Sequence, residues 1–371
     1  MWLIRYRMNN NTPSFAKNDD LKFFRTLNSR VNAYFKDNNI DKTGNWQIHL
    51  KTIILFAIFF TPYFLILTLD MAFGWQLLLN ILMGIGMAGI GMNVMHDGNH
   101  GSYSSKTWVN KIMGGSIYIL AGNVYNWQVQ HNVLHHTYTN IHGHDEDLDA
   151  GRIIRFTKNA KWYSFHRFQH YYSVFLYGLL TFNWAITTDF TQMKGYLKRK
   201  LTYGEPQSHT KLWSILVITK IIYACVWIIL PMVFGVTWWK VLLGYFVMHY
   251  TAGLILSIVF QLAHVVEETD NPVPDENGEI SNTWAIHQLY TTANFAPKNK
   301  LVNWFTGGLN HQIEHHIFPH ISHVHYGKIA EIVKATAAEC NLPYHEFQTM
   351  RSAVYAHFKH LKDLGEKPQL A

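Results

Sequence analysis

Four windows of this chain, Thr52 to Leu69, Met71 to Met95, Leu212 to Val236 and Val241 to Ala263, are long, apolar and almost free of charge. The first, second and fourth contain no Asp, Glu, Lys or Arg. Each is long enough for roughly 27 Å or more of helix, about one hydrocarbon core. The third is interrupted only by Lys220, near one end, where its stem reads as snorkelling to the membrane interface. The rest of the chain agrees: 15% of residues are charged against about a quarter in soluble proteins. Aromatic residues also reach 15%, which suits a lipid environment. The fold expected is therefore an all-α integral membrane protein with four transmembrane helices in two hairpins. Its expected parts are a segment 1–51, a membrane domain 52–342 with spans at about 52–69, 71–95, 212–236 and 241–263, and a tail 343–371.

Charge orients this arrangement. The net charge is +7, and Arg5, Arg7, Lys17, Lys22, Arg25, Arg30, Lys36, Lys42 and Lys51 precede or open the first span. The turns after spans one and three carry no Lys or Arg, so by the positive-inside rule both termini face the cytoplasm. The basic residues read as orientation, attraction to anionic lipid or docking of an acidic partner, and not as nucleic-acid binding. No short apolar core with a small-residue cleavage site stands at Met1, so insertion through the chain's own spans is expected. The two cysteines, Cys225 and Cys340, make no disulfide framework.

Three histidine boxes lie outside the spans: His96-Asp97-Gly98-Asn99-His100, His131-Asn132-Val133-Leu134-His135-His136 and His311-Gln312-Ile313-Glu314-His315-His316. His96 and His100 are spaced i, i+4, which puts both rings on one face of a helix continuing from span two. His131 and His135 repeat that spacing, and His136 adds a neighbour turned about 100° around the helix. His315 and His316 form a third adjacent pair. A closed zinc site takes four ligands, so the eight imidazoles of the boxes call for two metal ions sharing one site. An even number of crossings between boxes leaves all three on the cytoplasmic side. Two further uncharged windows, Met113 to Gln130 and Tyr171 to Thr188, would break that parity if they crossed, and they read as interfacial or re-entrant helices.

His264, at the cytoplasmic end of span four, emerges where box one emerges and is a further candidate ligand. His249 lies roughly 22 Å up the same helix and reads as a hydrogen-bonded buried histidine. The acidic run Asp145, Glu146, Asp147 and Asp149 after box two either orients imidazoles through their second nitrogen or forms a solvated loop. Asp97 and Glu314, inside boxes, are candidates for supporting the ligands.

From HDGNH through HNVLHHTYTNI and FQLAHVVEE to QIEHH, nearly the whole chain resembles the membrane fatty acid desaturases, specifically the front-end acyl-lipid or linoleoyl-CoA-type branch. The resemblance implies a di-iron centre held by His96, His100, His131, His135, His136, His264, His315 and His316, with O2 as co-substrate. Such a centre removes two hydrogens from an acyl chain and leaves a cis double bond, near carbon 5 or 6 in the front-end branch. Gln312 stands where many other desaturases have histidine, as is characteristic of that branch. Its amide is a direct ligand or a supporting group, and His311, one residue earlier, is a candidate to replace the missing imidazole. The implied substrate is a fatty acyl-CoA or a membrane acyl-lipid. No His-Pro-Gly-Gly signature of a fused cytochrome b5 occurs, so a separate donor is expected: ferredoxin, flavodoxin or cytochrome b5 with its reductase. The rivals are a membrane di-iron hydroxylase of a lipid or alkane, and a metal transporter or sensor. The latter would need coordinating groups within the spans.

Overall fold

The computed structural model describes residues 12–17 and 22–367. Arg5 and Arg7 of the basic segment, and the end of the tail beyond residue 367, lie outside the described residues. The chain is mostly helical and divides into two compact units. One comprises Asn45–Val129 with Val174–Ile258; the other comprises Gln130–Ser173 with the described residues of Arg7–Gly44 and Val259–Ala371.

The helices of spanning length number four among the described residues: α2 (Trp46–Thr68), α3 (Phe73–His100), α7 (His209–Val233) and α8 (Trp238–His264). They overrun or fall short of the uncharged windows because local chemistry sets their ends. Asn45 caps α2 by accepting from the Gln47 amide at 2.9 Å, and Gly101, at φ 74°, stops α3 just after box one. In the first unit, a side chain at Gly86 would meet the Phe59 backbone at 2.9 Å, so glycine lets α3 lie directly against α2. Trp227 of α7 packs edge-on to Phe59 with ring centroids 5.0 Å apart. The Tyr223 hydroxyl of α7 pairs with His249 Nε2 of α8 at 2.7 Å, while His249 Nδ1 meets Thr181 Oγ1 at 3.0 Å. His249 is thus a hydrogen-bonded buried residue, as its position on the helix suggested.

Lys220 corrects the snorkelling expectation. Its ammonium turns inward to the Asp189 carboxylate at 2.7 Å and to the carbonyls of Trp184, at 2.6 Å, and Ala121. Asn126 supports Asp189 from the other side at 3.1 Å. An ammonium beside lipid finds in this carboxylate and these carbonyls a partner that the interface offers only at a distance. Neither extra window forms a continuous helix of spanning length. The first breaks into the short helix α4 (Thr107–Gly114), a 3-10 segment Gly115–Leu120, and a left-handed turn at Ala121, φ 60°. The second begins inside α5 (Gln169–Gly178), breaks at Leu179, and passes through a short helix and a π-helical turn at Trp184–Thr188 into α6 (Asp189–Arg199). It runs beside α8: Tyr177 O accepts from Ser257 at 3.1 Å and Thr181 Oγ1 donates to His249 O at 3.0 Å. Those contacts follow α8 over eight residues, roughly 12 Å of its length.

The second unit is built on α1 (Phe23–Asp37), α9 (Trp284–Thr291), α10 (Gln312–Ile317), α11 (Tyr326–Glu339) and α12 (Met350–Gly365). Phe23, Leu27, Val31 and Phe35 recur every four residues on α1 and bury one face against Leu289, Ile313, Ile317, Ile329 and Val333. Two short parallel strand pairs, Ser14–Phe15 with Glu279–Ile280 and Asn294–Phe295 with Glu346–Phe347, tie distant segments together. The last turn of α12 is clamped. Gln169 Nε2 donates to Leu361 O at 2.7 Å, Arg155 Nη1 to Leu364 O at 2.8 Å and Trp162 Nε1 to Gly365 O at 2.9 Å. These bonds satisfy carbonyls that a helix C-terminus leaves open.

Candidate metal centre

Box one belongs to the first unit. α3 widens into a π-helical turn over Gly91–Met95 and returns to α geometry over His96–His100. The His96 and His100 rings lie 4.6 Å apart, and both pack edge-on to Trp127. Asn99 ties the box to its surroundings: Nδ2 donates to Gly114 O at 3.0 Å, and Oδ1 accepts from Gln128 Nε2 at 3.1 Å. Asp97 is 1% exposed, and its carbonyl accepts the amides of Ser102 and Tyr103 at 2.9 and 3.2 Å. Lys51, also buried, donates to Asn93 at 2.9 Å.

Box two lies on the π-helix Gln128–His135 and the α turn His136–Tyr138 that follows. Here the backbone differs from the regular α-helix expected. A regular α-helix would turn His136 about 140° away from His131, whereas the π turn, with its i to i+5 hydrogen bonds, brings the two together, their Nε2 atoms 3.3 Å apart. His131 and His135 stack at 5.1 Å. Two members of the acidic run orient them: Asp147 lies 2.7 Å from His131 Nδ1, and both Asp145 oxygens lie at 2.9 and 3.0 Å from His135 Nδ1. Asp145 in turn accepts the amides of Asn140 and Asp147 at 2.9 and 3.1 Å. Burial and the Asp147 charge hold its carboxyl above the usual range, against the pull of those amides. Asp149 does something else, capping the turn at Gly151 N at 2.8 Å.

Box three occupies α10. His315 Nδ1 meets Tyr326 Oη at 3.1 Å, and His316 Nδ1 meets Gln288 Oε1 at 2.9 Å. His264, closing α8, faces the Thr291 carbonyl with Nδ1 at 3.4 Å, while its own carbonyl accepts from Asn140 at 3.0 Å and Thr269 at 2.7 Å. Within the second unit the ligand-capable atoms of His135, His264 and His316, and those of His136, His315 and His316, each fall within 4.8 Å of one another. His316 belongs to both trios. The Nε2 atoms of His264 and His316 are buried and have no hydrogen-bond partner among the described residues. A buried, unsatisfied lone pair is costly unless something binds it. Burial and the neighbouring imidazoles keep His316 well below the ordinary histidine range, in the neutral form that ligates metal. The donor set therefore fits a metal centre.

His311 stands at the N-terminus of α10 outside these trios, its Nδ1 3.7 Å from Glu314 Oε2. Glu314 is fully buried and accepts from Asn294 at 2.8 Å and Tyr344 at 3.1 Å. Gln312 is also buried, and its Oε1 has no hydrogen-bond partner among the described residues. Sequence reasoning missed α9. This helix brings Gln288 and Thr291 to the imidazoles and donates the Trp284 indole N–H to His136 O at 2.9 Å. Its only signal was a mixed apolar and polar run without charge, which fixes no partner.

Sequence comparison places the chain among known proteins. The chain is 35% identical to the sn-1 linoleoyl-lipid 6-desaturase of Arthrospira platensis over 98% of both chains. It is 35% identical to the enzyme of the same name from Synechocystis, covering 93% of this chain and 96% of that one. It is also 34% identical to the acyl-lipid (8-3)-desaturase of Physcomitrium patens, over 94% of this chain and 72% of that protein. Residues 72–348, which run from the start of α3 past box three, match the model of the fatty acid desaturase family, and the chain belongs to that family of oxidoreductases.

Proposed function

We propose that this membrane desaturase is a front-end enzyme that uses O2 to place a cis double bond near carbon 5 or 6 of a lipid-linked acyl chain. The observation that carries the chemistry is the pair of buried imidazole trios meeting at His316. The substrate and the bond position lean on the near full-length likeness to the 6-desaturases named above, and on Gln312 at the head of QIEHH. His131, His135, His136, His264, His315 and His316 would hold two iron ions, with His96 and His100 as the remaining ligands. Bound iron, with O2 and two electrons from a donor protein, supplies the oxidising power to take two hydrogens from adjacent methylenes.

The chain's own contribution is positioning and exclusion of water. Asp145 and Asp147 hold the Nδ1 protons of His135 and His131, which leaves Nε2 of each ring for the metal. Full burial of His135, His315 and His316 keeps solvent from the oxidant. Glu314, fixed by Asn294 and Tyr344, anchors α10 and so sets the pitch of His315 and His316. Gln312 and His311 are reserve donors at the edge of the centre, and Asp97 steadies the box-one turn. In this reading the spans pair as two hairpins, and both termini and all three boxes face the cytoplasm as a helical cap. Cysteines introduced beside Gly101, Gly143 and Gly308 should then resist an impermeant reagent in sealed cells.

Expression in a host fed defined fatty acids, with double bonds located by mass spectrometry, tests the function. Product should appear first in membrane lipid, and His96→Ala, His135→Ala or His315→Ala should each abolish it without preventing membrane insertion. A new bond at carbon 9 of a saturated chain, or on the methyl side of an existing bond, would overturn the front-end reading. A hydroxylated product with no alkene would overturn the desaturation itself.

A further inference from the structure

We infer that Gln288 is a positioning residue that decides which nitrogen of His316 faces the metal centre; the inference rests on the two-metal reading above. Gln288 is fully buried on α9. Its Oε1 lies 2.9 Å from His316 Nδ1 and accepts from Thr139 Oγ1 at 2.9 Å, while its Nε2 donates to His136 O at 3.4 Å. Chemistry fixes that orientation of the amide. The His136 carbonyl can only accept, and it also takes the Trp284 indole N–H, so a reversed amide would press two oxygens together. An amide oxygen likewise only accepts. His316 must therefore carry its proton on Nδ1 and present the Nε2 lone pair, the atom with no hydrogen-bond partner among the described residues.

His316 is common to both trios, and its single Nε2 lone pair completes whichever of them it serves, so its tautomer decides whether that trio can close on a metal. Thr139 Oγ1 is the weaker alternative acceptor because it lies farther from the same Nδ1, at 3.3 Å; its one proton is shared between His135 O at 2.7 Å and Gln288 Oε1 at 2.9 Å. One side chain of α9 thus joins box two to box three through His136, Thr139 and His316. Nothing in box spacing points to it.

The test is cobalt(II) titration of the detergent-purified, metal-stripped full chain, reading bound metal by elemental analysis, the cobalt d–d absorption and the thermal midpoint. Wild type should bind two cobalt ions. Gln288→Met should bind at least one of them about 10–100-fold more weakly, the usual range for losing a group that orients a ligand. Gln288→Glu, whose carboxyl accepts from Nδ1–H with one oxygen and, when protonated, donates to His136 O with the other, should recover most of that loss. A merely structural role would lower the thermal midpoint of both variants and would not be rescued by an acceptor. Two cobalt ions bound at wild-type affinity in Gln288→Met, or Gln288→Glu as weak as Gln288→Met, would overturn the inference. Should Gln288→Met fail to fold, Gln288→Glu with wild-type stoichiometry supports the assignment, and a folded Gln288→Glu lacking it overturns it. Fewer than two cobalt ions in the wild type would overturn the two-metal reading and this assignment with it.

Discussion

Gly98, inside box one, admits no side chain. A methyl group on its Cα would stand 2.4 Å from Gly114 N, 2.8 Å from the Met113 carbonyl carbon and 3.0 Å from Gly114 Cα. All three are backbone atoms, so nothing flexible can swing aside. Non-bonded heavy atoms rest at about 3.5 Å, so Gly98→Ala must drive the His96–His100 turn and residues 113–114 apart by about 1 Å. Overpacking of this kind costs about 1–3 kcal/mol. The larger effect should fall on turnover, because a displacement of about 1 Å in a positioned constellation costs on the order of 10²-fold. Gly101→Ala is the control. Its new methyl meets nothing within 4 Å, but φ is 74°, so it should cost roughly 1–2 kcal/mol of backbone strain while leaving the box in place. The assay is the desaturated fraction of a fed fatty acid at matched enzyme abundance, with thermal midpoints measured in detergent. The two variants should lose comparable stability, while only Gly98→Ala loses most of its activity. Wild-type turnover and midpoint in Gly98→Ala would refute the reasoning.

Asp145→Asn removes the anionic partner of His135 while keeping its shape, and metal affinity should fall about 10–100-fold; an unchanged titration would deny Asp145 its orienting role. Lys220→Met leaves the buried Asp189 carboxylate without its cation, and should destabilise the protein by about 3–5 kcal/mol in detergent unfolding, whereas Lys220→Met with Asp189→Leu should recover much of that loss. His287 and His357 are held by burial at about 4, so each stays neutral in the fold while the unfolded chain takes up a proton below about 6.5. Stability should therefore be full above about pH 6.5 and fall by about 1.4 kcal/mol per pH unit per histidine down to about pH 4. Thermal midpoints of the metal-free protein from pH 7 to pH 5 check this, and His287→Gln should shallow the slope.

What the sequence made legible was what repeats locally. Absence of charge marked the four spanning helices, and the i, i+4 and adjacent histidines marked the ligand-bearing turns. Two departures came from backbone geometry: the π turns at Gly91–Met95 and Gln128–His135 follow from no single residue, yet the second decides that His136 sits over His131. Lys220 was misplaced because its partner Asp189 stands outside the spans, and hydropathy reads only the span. The supporting groups divided the same way. Asp145 and Asp147, ten and sixteen residues from the rings they hold, were suspected. Gln288, 149 residues from Thr139, could be found only once the chain had folded.

The clamp on α12 sets an order of events during synthesis. Arg155, Trp162 and Gln169 lie a short way beyond the carboxylates that hold box two, and the carbonyls they grip belong to a helix about two hundred residues later in the chain. A nascent chain still lacking α12 already has its spanning helices and every histidine of the boxes, but Arg155 Nη1 and Trp162 Nε1 lack their acceptors, Gln169 Nε2 keeps only Arg155 O, and Val265 O, next to His264, lacks its bond from His357 Nδ1 at 2.8 Å. Domains settle as their residues emerge, and this unit cannot settle until α12 has. A fusion partner placed inside α12 should therefore disturb the support of box two more than one placed after Gly365.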